Sequence, residues 1–536
     1  MRDIYVAEIN HQLHIVYQGI NTMESSTKLI PLGFTIQKHQ FVLPLPNAIN
    51  VSELKRLMDQ VYEAANLPMV MHETLLKLIV LRLSISSSAK FTLPTIINAT
   101  LLPHQIEAIE FFHHQRCFIY AAEMGLGKTL TAIACIQKMQ PTRSLIVCPA
   151  SLRSNIQAEC EKFTMNYKPY ILKHKKNCEP LLRDHSHIIM SYSLLPSLLS
   201  SLLIYKWDMI VCDESHALKH NTSKRFKSIK RLSKNVPNMI LLTGTPGYKP
   251  KEVFPLLTLV APQYFKDFYT YQRPHGKCIP RESNKQFYFG ERYMIPEIQY
   301  FGGVARFHFT KSRRLEELHA LSKSFLLRQL LQDVSDLPPL LRETITIGQL
   351  TDTQAKQMST QLNKMKLMEN KHESEQLFCK CIMQTVKWKT KLLQEYVLQT
   401  CERTSDKFIV FVYHKEITDA LIECLQGKIE HVIINGDTPM NQRDSILHTF
   451  QFGKPQVGIL SLACCGQGLN FTFINLVLVA ELVTQTEFHS QSEGRCRRIG
   501  QTKPVLMEYL ILPQTTDPIL WQLFQSKTNT AKHMLN

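Results

Sequence analysis

Cys117-Phe-Ile-Tyr-Ala-Ala-Glu-Met-Gly-Leu-Gly-Lys-Thr129 is the stretch that decides the fold of this 536-residue chain. Its first six residues form an apolar run, which predicts a buried strand of a parallel sheet. A glycine-rich turn follows, and Lys128–Met139 has the character of a helix. A strand, a glycine-rich turn and a helix in this order form the context of a phosphate-binding loop.

The turn carries the residue types that such a loop requires. Gly125 and Gly127 permit backbone geometries that aim N–H groups at phosphate oxygens. We expect Lys128 to contact the β- and γ-phosphates of ATP and the Thr129 hydroxyl to bind Mg²⁺. The strict pattern has glycine where this chain has Ala122. The candidate ATP-binding residues are Gln105, Ala122, Glu123, Met124, Gly125, Leu126, Gly127, Lys128 and Thr129.

A second strand is predicted at Ser144–Cys148. Two carboxylates follow a third predicted strand. The largely apolar segment Trp207–Cys212 leads directly into Asp213 and Glu214. Asp213 is expected to hold Mg²⁺, directly or through water, and Glu214 to polarise an attacking water. An acidic pair in a solvated turn is the alternative, and the preceding strand and phosphate loop argue against it.

Further polar residues lie next to predicted strands. Thr243 and Thr245 follow the apolar run that begins at Met239, and they are candidates for sensing the γ-phosphate. Gln105 precedes the first strand, and its amide offers a donor and an acceptor to the edge of adenine. An ordinary surface glutamine is the alternative interpretation of Gln105.

The C-terminal half repeats the alternation of apolar strands and helices, which predicts a second parallel sheet. Gly466 and Gly468 fit a tight loop that lies close to the γ-phosphate or to a phosphate backbone. We also assign Gln491 a role in coupling to the nucleotide. The strands predicted in this half are Phe408–Tyr413, His431–Ile434, Val457–Ser461 and Leu476–Ala480.

Two arginines spaced three apart follow the last of these strands. Arg495 and Arg498 are predicted on one helix, where residues at this spacing share a face. An arginine that reaches the nucleotide from a second domain raises the rate by up to ~10³–10⁵. The alternative is a basic helix that faces nucleic acid, and Arg497 is a candidate for that role.

Charge and composition restrict the class of partner. The net charge of +17 and the pI of about 9.2 favour a polyanionic partner, with nucleic acid first, although many basic proteins bind none. The close cysteine pairs lack zinc-finger spacing, so reduced thiols are expected. No apolar run reaches the ~18 residues of a membrane span, and residues 1–18 lack a signal-peptide or transit pattern.

The chain resembles the Swi/Snf-type ATPases of helicase superfamily two from about Leu101 to Gln525. Further segments resemble the annealing-helicase branch, the SMARCAL-like proteins with HARP domains. The motifs of the wider family are Met124-Gly-Leu-Gly-Lys-Thr129, Asp213-Glu-Ser-His216, Thr243-Gly-Thr-Pro246 and Arg495-x-x-Arg-Ile-Gly-Gln501. The segments of the branch are Phe325–Arg328, Asp333–Val334, Leu337–Pro338, Lys407–Lys415, Gly468–Thr472 and Val479–Leu482.

This resemblance implies an α/β fold with two tandem RecA-like parallel-sheet lobes, a helical and basic insertion between them and a small N-terminal domain. Residues 1–97 would be an N-terminal accessory domain, HARP-like by position. Residues 98–262 would be the first, ATP-binding lobe, residues 263–350 the insertion or brace, residues 351–515 the second lobe, and residues 516–536 a C-terminal helix or tail.

The resemblance also implies an ATP- and Mg²⁺-dependent translocase on duplex DNA, with fork and junction DNA as substrates of the branch. We expect an active ATPase because the nucleotide-handling residues are present: Lys128, Thr129, Asp213, Glu214, Arg495 and Arg498. Expected partners are DNA and single-strand-binding or replication proteins, in the nucleus if the source is eukaryotic, or in the cytoplasm or a viral factory if it is viral. A chromatin-remodelling ATPase, a scaffold with little turnover and an RNA-duplex substrate remain open.

The segment 263–325 interleaves aromatic and basic residues. This composition suits stacking on unpaired bases combined with phosphate contacts. The alternative is a brace between the lobes whose aromatic residues belong to the core. The residues in question are Tyr264, Phe268, Tyr271, Arg273, Tyr288, Phe289, Arg292, Tyr293, Lys311, Arg313 and Arg314.

Overall fold

A computed structural model describes most of the chain, in two compact units. The first unit contains Met1–Ala122, Gly127–Gln329 and Asn529–Asn536, and the second contains Glu123–Leu126 and Leu330–Thr528. The described residues are 3–9, 12–18, 29–37, 40–46, 49–64, 73–84, 92–96, 98–176, 178–247, 249–266, 289–301, 304–334, 337–368, 371–464, 469–498 and 500–535.

The strands of the described residues belong to four sheets. They are β1 (Asp3–Ile9), β2 (Gln12–Gln18), β3 (Thr35–Gln37), β4 (Gln40–Pro44), β5 (Cys117–Ala122), β6 (Ser144–Cys148), β7 (Tyr170–Leu172), β8 (His187–Ser191), β9 (Met209–Cys212), β10 (Asn238–Leu242), β11 (Met294–Phe301), β12 (Val304–Ser312), β13 (Leu326–Gln329), β14 (Leu340–Thr346), β15 (Phe408–Val412), β16 (His431–Ile434), β17 (Val457–Ser461), β18 (Leu476–Val479) and β19 (Val505–Ile511).

The α-helices of the same residues connect and cover these sheets. They are α1 (Val51–Ala64), α2 (Glu73–Ser84), α3 (Pro103–Gln115), α4 (Lys128–Met139), α5 (Arg153–Phe163), α6 (Cys178–Asp184), α7 (Leu195–Leu202), α8 (Lys224–Leu232), α9 (Pro250–Val260), α10 (Phe289–Tyr293), α11 (Leu315–Ser322), α12 (Leu331–Val334), α13 (Asp352–Leu367), α14 (Lys371–Arg403), α15 (Lys415–Leu425), α16 (Met440–Phe452), α17 (Thr486–Cys496) and α18 (Asp517–Leu535).

The central sheet of the first unit is entirely parallel. Its strand order is β13-β5-β10-β9-β6-β8-β7, and every neighbouring pair is parallel. Strands β6, β9 and β10 are buried along their whole length, as continuous apolar strands of a parallel sheet are when helices cover both faces. The first predicted parallel sheet is therefore confirmed.

A four-stranded antiparallel sheet, in the order β1-β2-β4-β3, belongs to the same unit and shares its hydrophobic core. Helix α11 packs against β1 and α2. Within α11, Glu317 is fully buried; it accepts the N–H of Val6 at 3.1 Å and a bidentate pair from Arg292 at 2.6 Å for each bond. The bond from Val6 links the N-terminal sheet to α11, and Arg292 supplies the partner that the buried charge requires.

The second unit contains the second predicted parallel sheet, which is also confirmed. Its order is β14-β19-β18-β15-β17-β16, again with parallel neighbours throughout. Strand β13 belongs to the first sheet and β14 to the second. The segment 263–350, which was expected to form one insertion, is therefore divided between the two units.

Two of the aromatic candidates in that segment are core residues. Phe289 and Tyr293 are fully buried, and Arg292 is paired with Glu317. The hypothesis that the segment stacks on unpaired bases is therefore wrong for these three residues. Strands β11 and β12, which follow them, form a two-stranded hairpin. Four candidates lie outside the described residues: Phe268, Tyr271, Arg273 and Tyr288.

The cysteines of the described residues carry free thiols. Burial raises the pKa of Cys148 and of Cys160 to about 12, which makes these thiols poor nucleophiles. Across the described part of the chain, the helices are too short or too polar to cross a membrane.

Candidate nucleotide site

The phosphate-loop sequence forms a tight turn between β5 and α4. Strand β5 ends at Ala122 and α4 begins at Lys128, the bounds that the sequence predicts. Gly125 and Gly127 have φ angles of +91° and +72°, in the left-handed region where a glycine avoids the strain of a side chain. The turn therefore leads into the N-terminus of α4, where unpaired backbone N–H groups and the helix dipole favour an anion.

Two polar side chains lie against this turn. The Lys128 ammonium donates to the carbonyl oxygen of Ala122 at 2.9 Å, so its charge lies at the loop. Gln105, at the start of α3, is buried and its Oε1 accepts the N–H of Leu102 at 2.9 Å. Its Nε2 lies 3.5 Å from the carbonyl oxygen of Gly127. The interpretation of Gln105 as a surface glutamine is therefore wrong, and its contact with adenine stays a prediction.

The acidic pair lies at the carboxyl end of β9. Asp213 is buried, and its Oδ1 accepts the N–H of Glu214 at 2.8 Å. Tyr192 donates its hydroxyl to the carbonyl oxygen of Asp213 at 2.8 Å. Burial and the neighbouring Glu214 carboxylate raise the pKa of Asp213 to about 7, while the Lys128 ammonium acts in the opposite direction. Lys128 is thus close enough to Asp213 to influence its charge.

The donor atoms at this edge fit Mg²⁺. Thr129 and Asp213 line one small cavity together with Val211 and Leu242. Mg²⁺ prefers oxygen ligands and is usually held by one or two protein carboxylates, water and substrate phosphates. No group of three or more His, Cys, Asp or Glu side chains forms a metal site among the described residues. A hydroxyl and a carboxylate therefore fit an ion that arrives with a nucleotide.

Thr243 and Thr245 follow β10, the strand next to β5 in the sheet. Thr243 is fully buried, and its backbone N–H donates to the carbonyl oxygen of Tyr120 in β5 at 3.1 Å. The N–H of Thr245 donates to the Thr243 hydroxyl oxygen, also at 3.1 Å. Both threonines are thus held at the sheet edge where β5 leads into the phosphate loop.

Strand β13 supplies two positioning residues whose roles were not predicted. Arg328 donates from Nη1 to the carbonyl oxygens of Ala121 and Gly244, at 2.9 Å each. Gln329 donates from Nε2 to the carbonyl oxygen of His104 at 2.8 Å. These bonds tie together the ends of β5 and β10 and the start of α3. No local pattern reveals them, because the partners lie far apart in the chain.

The arginine motif of the second unit departs from its prediction. Arg495 is buried in α17, and Gln491 is half-buried in the same helix. The helix ends at Cys496 and Arg497 has an extended backbone, so Arg498 lies beyond the helix. The prediction that both arginines share one helix face is therefore wrong. Gly466 and Gly468 lie outside the described residues.

Local hydrogen bonds explain where α17 ends. Arg497 donates from Nε to the carbonyl oxygen of Pro338 at 3.0 Å. Gln501 donates from Nε2 to the carbonyl oxygens of Cys496 and Ile474, at 3.2 and 2.8 Å. Because Arg497 is bound to the protein itself, its assignment as a residue that faces nucleic acid is not supported.

Two carboxylates of the second unit are engaged in structural bonds. Glu481 accepts the backbone N–H groups of Tyr413 and His414 at 2.5 and 2.9 Å, and its other oxygen lies 2.5 Å from His414 Nδ1. The bond to Glu481 raises the pKa of His414. Glu493 accepts a bidentate pair from Arg342 at 2.5 and 2.8 Å. Glu481 thus bonds to the residues that follow β15, and Glu493 joins α17 to β14.

Two family models together match residues 104–500 of the chain. The chain belongs to the SNF2-related domain family, whose model matches residues 104–396. The model of the helicase conserved C-terminal domain matches residues 388–500. The resemblance to Swi/Snf-type ATPases is therefore confirmed.

Two curated relatives and one solved structure show what the chain is similar to. DNA annealing helicase and endonuclease ZRANB3 of Mus musculus is 30% identical over 463 residues, covering 83% of this chain and 41% of the relative. SWI/SNF-related matrix-associated actin-dependent regulator of chromatin subfamily A-like protein 1 of Xenopus tropicalis is 26% identical over 544 residues, covering 98% and 54%. The Sulfolobus solfataricus SWI2/SNF2 ATPase core in complex with dsDNA is 21% identical, covers 84% of this chain and 97% of its own, and has a TM-score of 0.39. This chain thus spans about half or less of the length of these curated relatives.

Proposed function

We propose that this protein is a DNA-dependent ATPase that moves along duplex DNA and remodels fork or junction DNA, as an annealing helicase in DNA repair. The observation that carries the proposal is the group of Lys128, Thr129 and Asp213 at one edge of a parallel sheet. Ligands of such sheets bind at the carboxyl ends of the strands. The name of one relative, a DNA annealing helicase, supports the choice of substrate.

The side chains at this edge have separate proposed roles. When bound, ATP with Mg²⁺ supplies the phosphoryl group and a cation that neutralises its charge. Lys128 and the N-terminus of α4 hold the phosphates, and Thr129 and Asp213 provide oxygen ligands. Glu214 orients the attacking water, since a carboxylate next to the metal ligand is placed to accept its proton. Thr243 and Thr245, at the end of β10, sense the γ-phosphate.

Residues of the second unit are also assigned roles in ATP hydrolysis. We assign Arg495 and Arg498 to stabilising the charge on the phosphoryl group. Gln491, Gly466 and Gly468 are assigned to sensing the γ-phosphate or coupling to it. DNA and single-strand-binding or replication proteins are the proposed partners, and the nucleus is the proposed location in a eukaryotic cell. Residues 1–97 are proposed as an accessory domain that recognises DNA structure.

ATP turnover of the purified protein tests the proposal. Turnover would be measured alone and with single-stranded, linear duplex and forked DNA of equal length. Forked DNA is expected to stimulate turnover most, and Lys128→Ala is expected to abolish it. Lys175→Ala, which removes an exposed lysine of the same unit, is the matched control and should remain active. Absence of stimulation by any DNA would contradict the motor function.

A further inference from the structure

Helix α8 and its flanks carry an unusual concentration of positive charge. The 37 residues between Glu214 and Glu252 contain seven lysines, two arginines and no acidic residue. Six of these cations lie on or next to α8, and all six are exposed. They are Lys224, Arg225, Lys227, Lys230, Arg231 and Lys234. We refer to these six residues as the α8 surface.

The α8 surface faces away from the core because the other side of the helix is apolar. Phe226, Ile229 and Leu232 are buried in the hydrophobic core of the first unit. Ser223 fixes the start of the helix, since its hydroxyl oxygen accepts the N–H of Phe226 at 3.3 Å. The helix is thus anchored along its apolar stripe and presents its cations to solvent.

Helix α7 does not neutralise these charges. Helix α7 packs against α8, and its sequence Leu-Pro-Ser-Leu-Leu-Ser-Ser-Leu contains no charged residue. Like charges three or four residues apart on a helix repel each other, as Lys227 does with Lys230 and Arg231. The arrangement is therefore unfavourable in the isolated protein and becomes favourable when a polyanion lies along the helix.

The α8 surface extends away from the nucleotide site. Asp213 follows β9 at the carboxyl edge of the sheet, whereas Asn238 begins β10 at the amino edge. Since α8 connects these two strands, Arg231 and Lys234 lie towards the amino edge. The five residues of β10 span roughly 17 Å between the two edges. An anion bound at Arg231 is therefore not the nucleotide bound at Lys128.

The length of the surface fits a nucleic-acid backbone. Seven residues of helix separate Lys224 from Arg231, a rise of roughly 10 Å. One strand of B-DNA carries a charge every ~3.4 Å of axis, so about three phosphates match this length. We propose that the α8 surface is a second docking site for duplex DNA, which binds the backbone of one arm of a branched molecule. The choice of branched DNA rests on the proposed function.

Binding in the absence of nucleotide tests this site. The variant Lys224→Gln/Lys227→Gln/Lys230→Gln/Arg231→Gln keeps polar side chains at the four positions and removes four charges. The matched control is Lys168→Gln/Lys173→Gln/Lys175→Gln/Lys176→Gln, which removes four exposed charges elsewhere in the same unit. Fluorescence anisotropy would compare a labelled three-arm fork with a linear duplex as long as one arm. Full-length protein is used throughout.

The expected result is a loss that depends on the branch. Affinity for the fork should fall about tenfold, and the slope of log affinity against log salt should decrease by ~0.9 for each phosphate contact removed. Affinity for the linear duplex, and ATP turnover with that duplex, should stay within about twofold of wild type, because the variant removes no phosphate contact to that molecule. The control variant should bind both molecules like wild type.

Several outcomes would overturn the site. They are an unchanged affinity for the fork, equal losses for the fork and the linear duplex, an equal loss in the control variant, or a loss seen only with duplex RNA. Because no ATP is present, a protein without ATPase activity can still show the fork-specific loss. In that case the α8 surface stands and only the proposed motor function fails.

Discussion

Two buried carboxylates follow central strands of the two parallel sheets, and their surroundings differ. In the first unit, Asp213 comes directly after β9 and its side chain accepts the backbone N–H of Glu214. In the second unit, Glu481 follows β18 by two positions and accepts three donors from Tyr413 and His414. Similar positions in two similar sheets thus have different partners.

The difference separates a carboxylate placed for a ligand from one placed for structure. Burial and Glu214 raise the pKa of Asp213 to about 7, so the protein alone supports the charged form poorly. A bound cation would reverse that effect. Glu481 instead raises the pKa of His414 through its bond to the imidazole ring. The following predictions test this contrast, in order of decreasing effect on stability.

The largest effect is expected at Glu317, a buried carboxylate of the first unit with a full set of partners. Glu317→Gln leaves the Arg292 guanidinium buried without a counter-charge, which costs ~3–5 kcal/mol. Chemical denaturation should show the loss, and the exposed neighbour Glu316→Gln is the control. Equal stability of the two variants would show that burial and ion pairing do not distinguish these carboxylates.

A smaller loss is expected at Glu481. Glu481→Gln weakens charge-assisted bonds to two backbone N–H groups and the His414 ring, which should cost ~1–3 kcal/mol. Glu416→Gln, at an exposed position in the first turn of α15, is the control. If Glu481→Gln is as stable as its control, the structural role of Glu481 is wrong.

Substitution of Asp213 should increase stability, whereas the two substitutions above decrease it. Its pKa rises from 3.8 unfolded to about 7 folded, so its ionisation opposes folding increasingly as the pH rises through that window. At pH 8 without Mg²⁺, Asp213→Asn should raise the melting temperature by about 2–4 °C, the shift that ~1 kcal/mol gives in a domain of ~150–250 residues. Calorimetry would measure it, and a lower melting temperature would contradict the contrast.

The smallest effect concerns pH and the second unit. The pKa of His414 is raised in the folded protein, so its contribution to stability is complete below its ordinary pKa of 6.5 and is lost as pH rises through the folded value. The stability advantage of wild type over His414→Asn should therefore be larger at pH 5.5 than at pH 9. An advantage that is constant or grows with pH would exclude the charged pair.

The sequence predicts those elements whose signals are local. Strand β5, helix α4 and strands β6, β16 and β17 have the predicted bounds, because each is a short apolar run or periodic segment between turn residues. Strands β13, β14 and β19 were not predicted as sheet members. Strand β14 is largely exposed, and pairing between β14 and β19 joins residues far apart in the chain.

In the candidate site, too, local signals were predicted and bonds between distant residues were not. The positions of Lys128 and Asp213 at strand ends follow from the loop and the apolar run that precede them. The end of α17 before Arg498 depends on a bond between Arg497 and Pro338, which no helical periodicity reveals. The same is true of Arg328, whose partners lie in other strands and turns.

ATP turnover with forked DNA, compared between Asp213→Asn and Glu481→Gln, tests the central claim most directly. The measurement is made below the melting temperatures of both variants, so that stability does not enter. The account predicts that Asp213→Asn loses at least about 100-fold in turnover, as expected when transition-state charge loses its stabilisation. Glu481→Gln should stay within about threefold of wild type, because a residue that acts on stability alone leaves the chemical step unchanged. Similar losses in both variants, or an active Asp213→Asn, would contradict it.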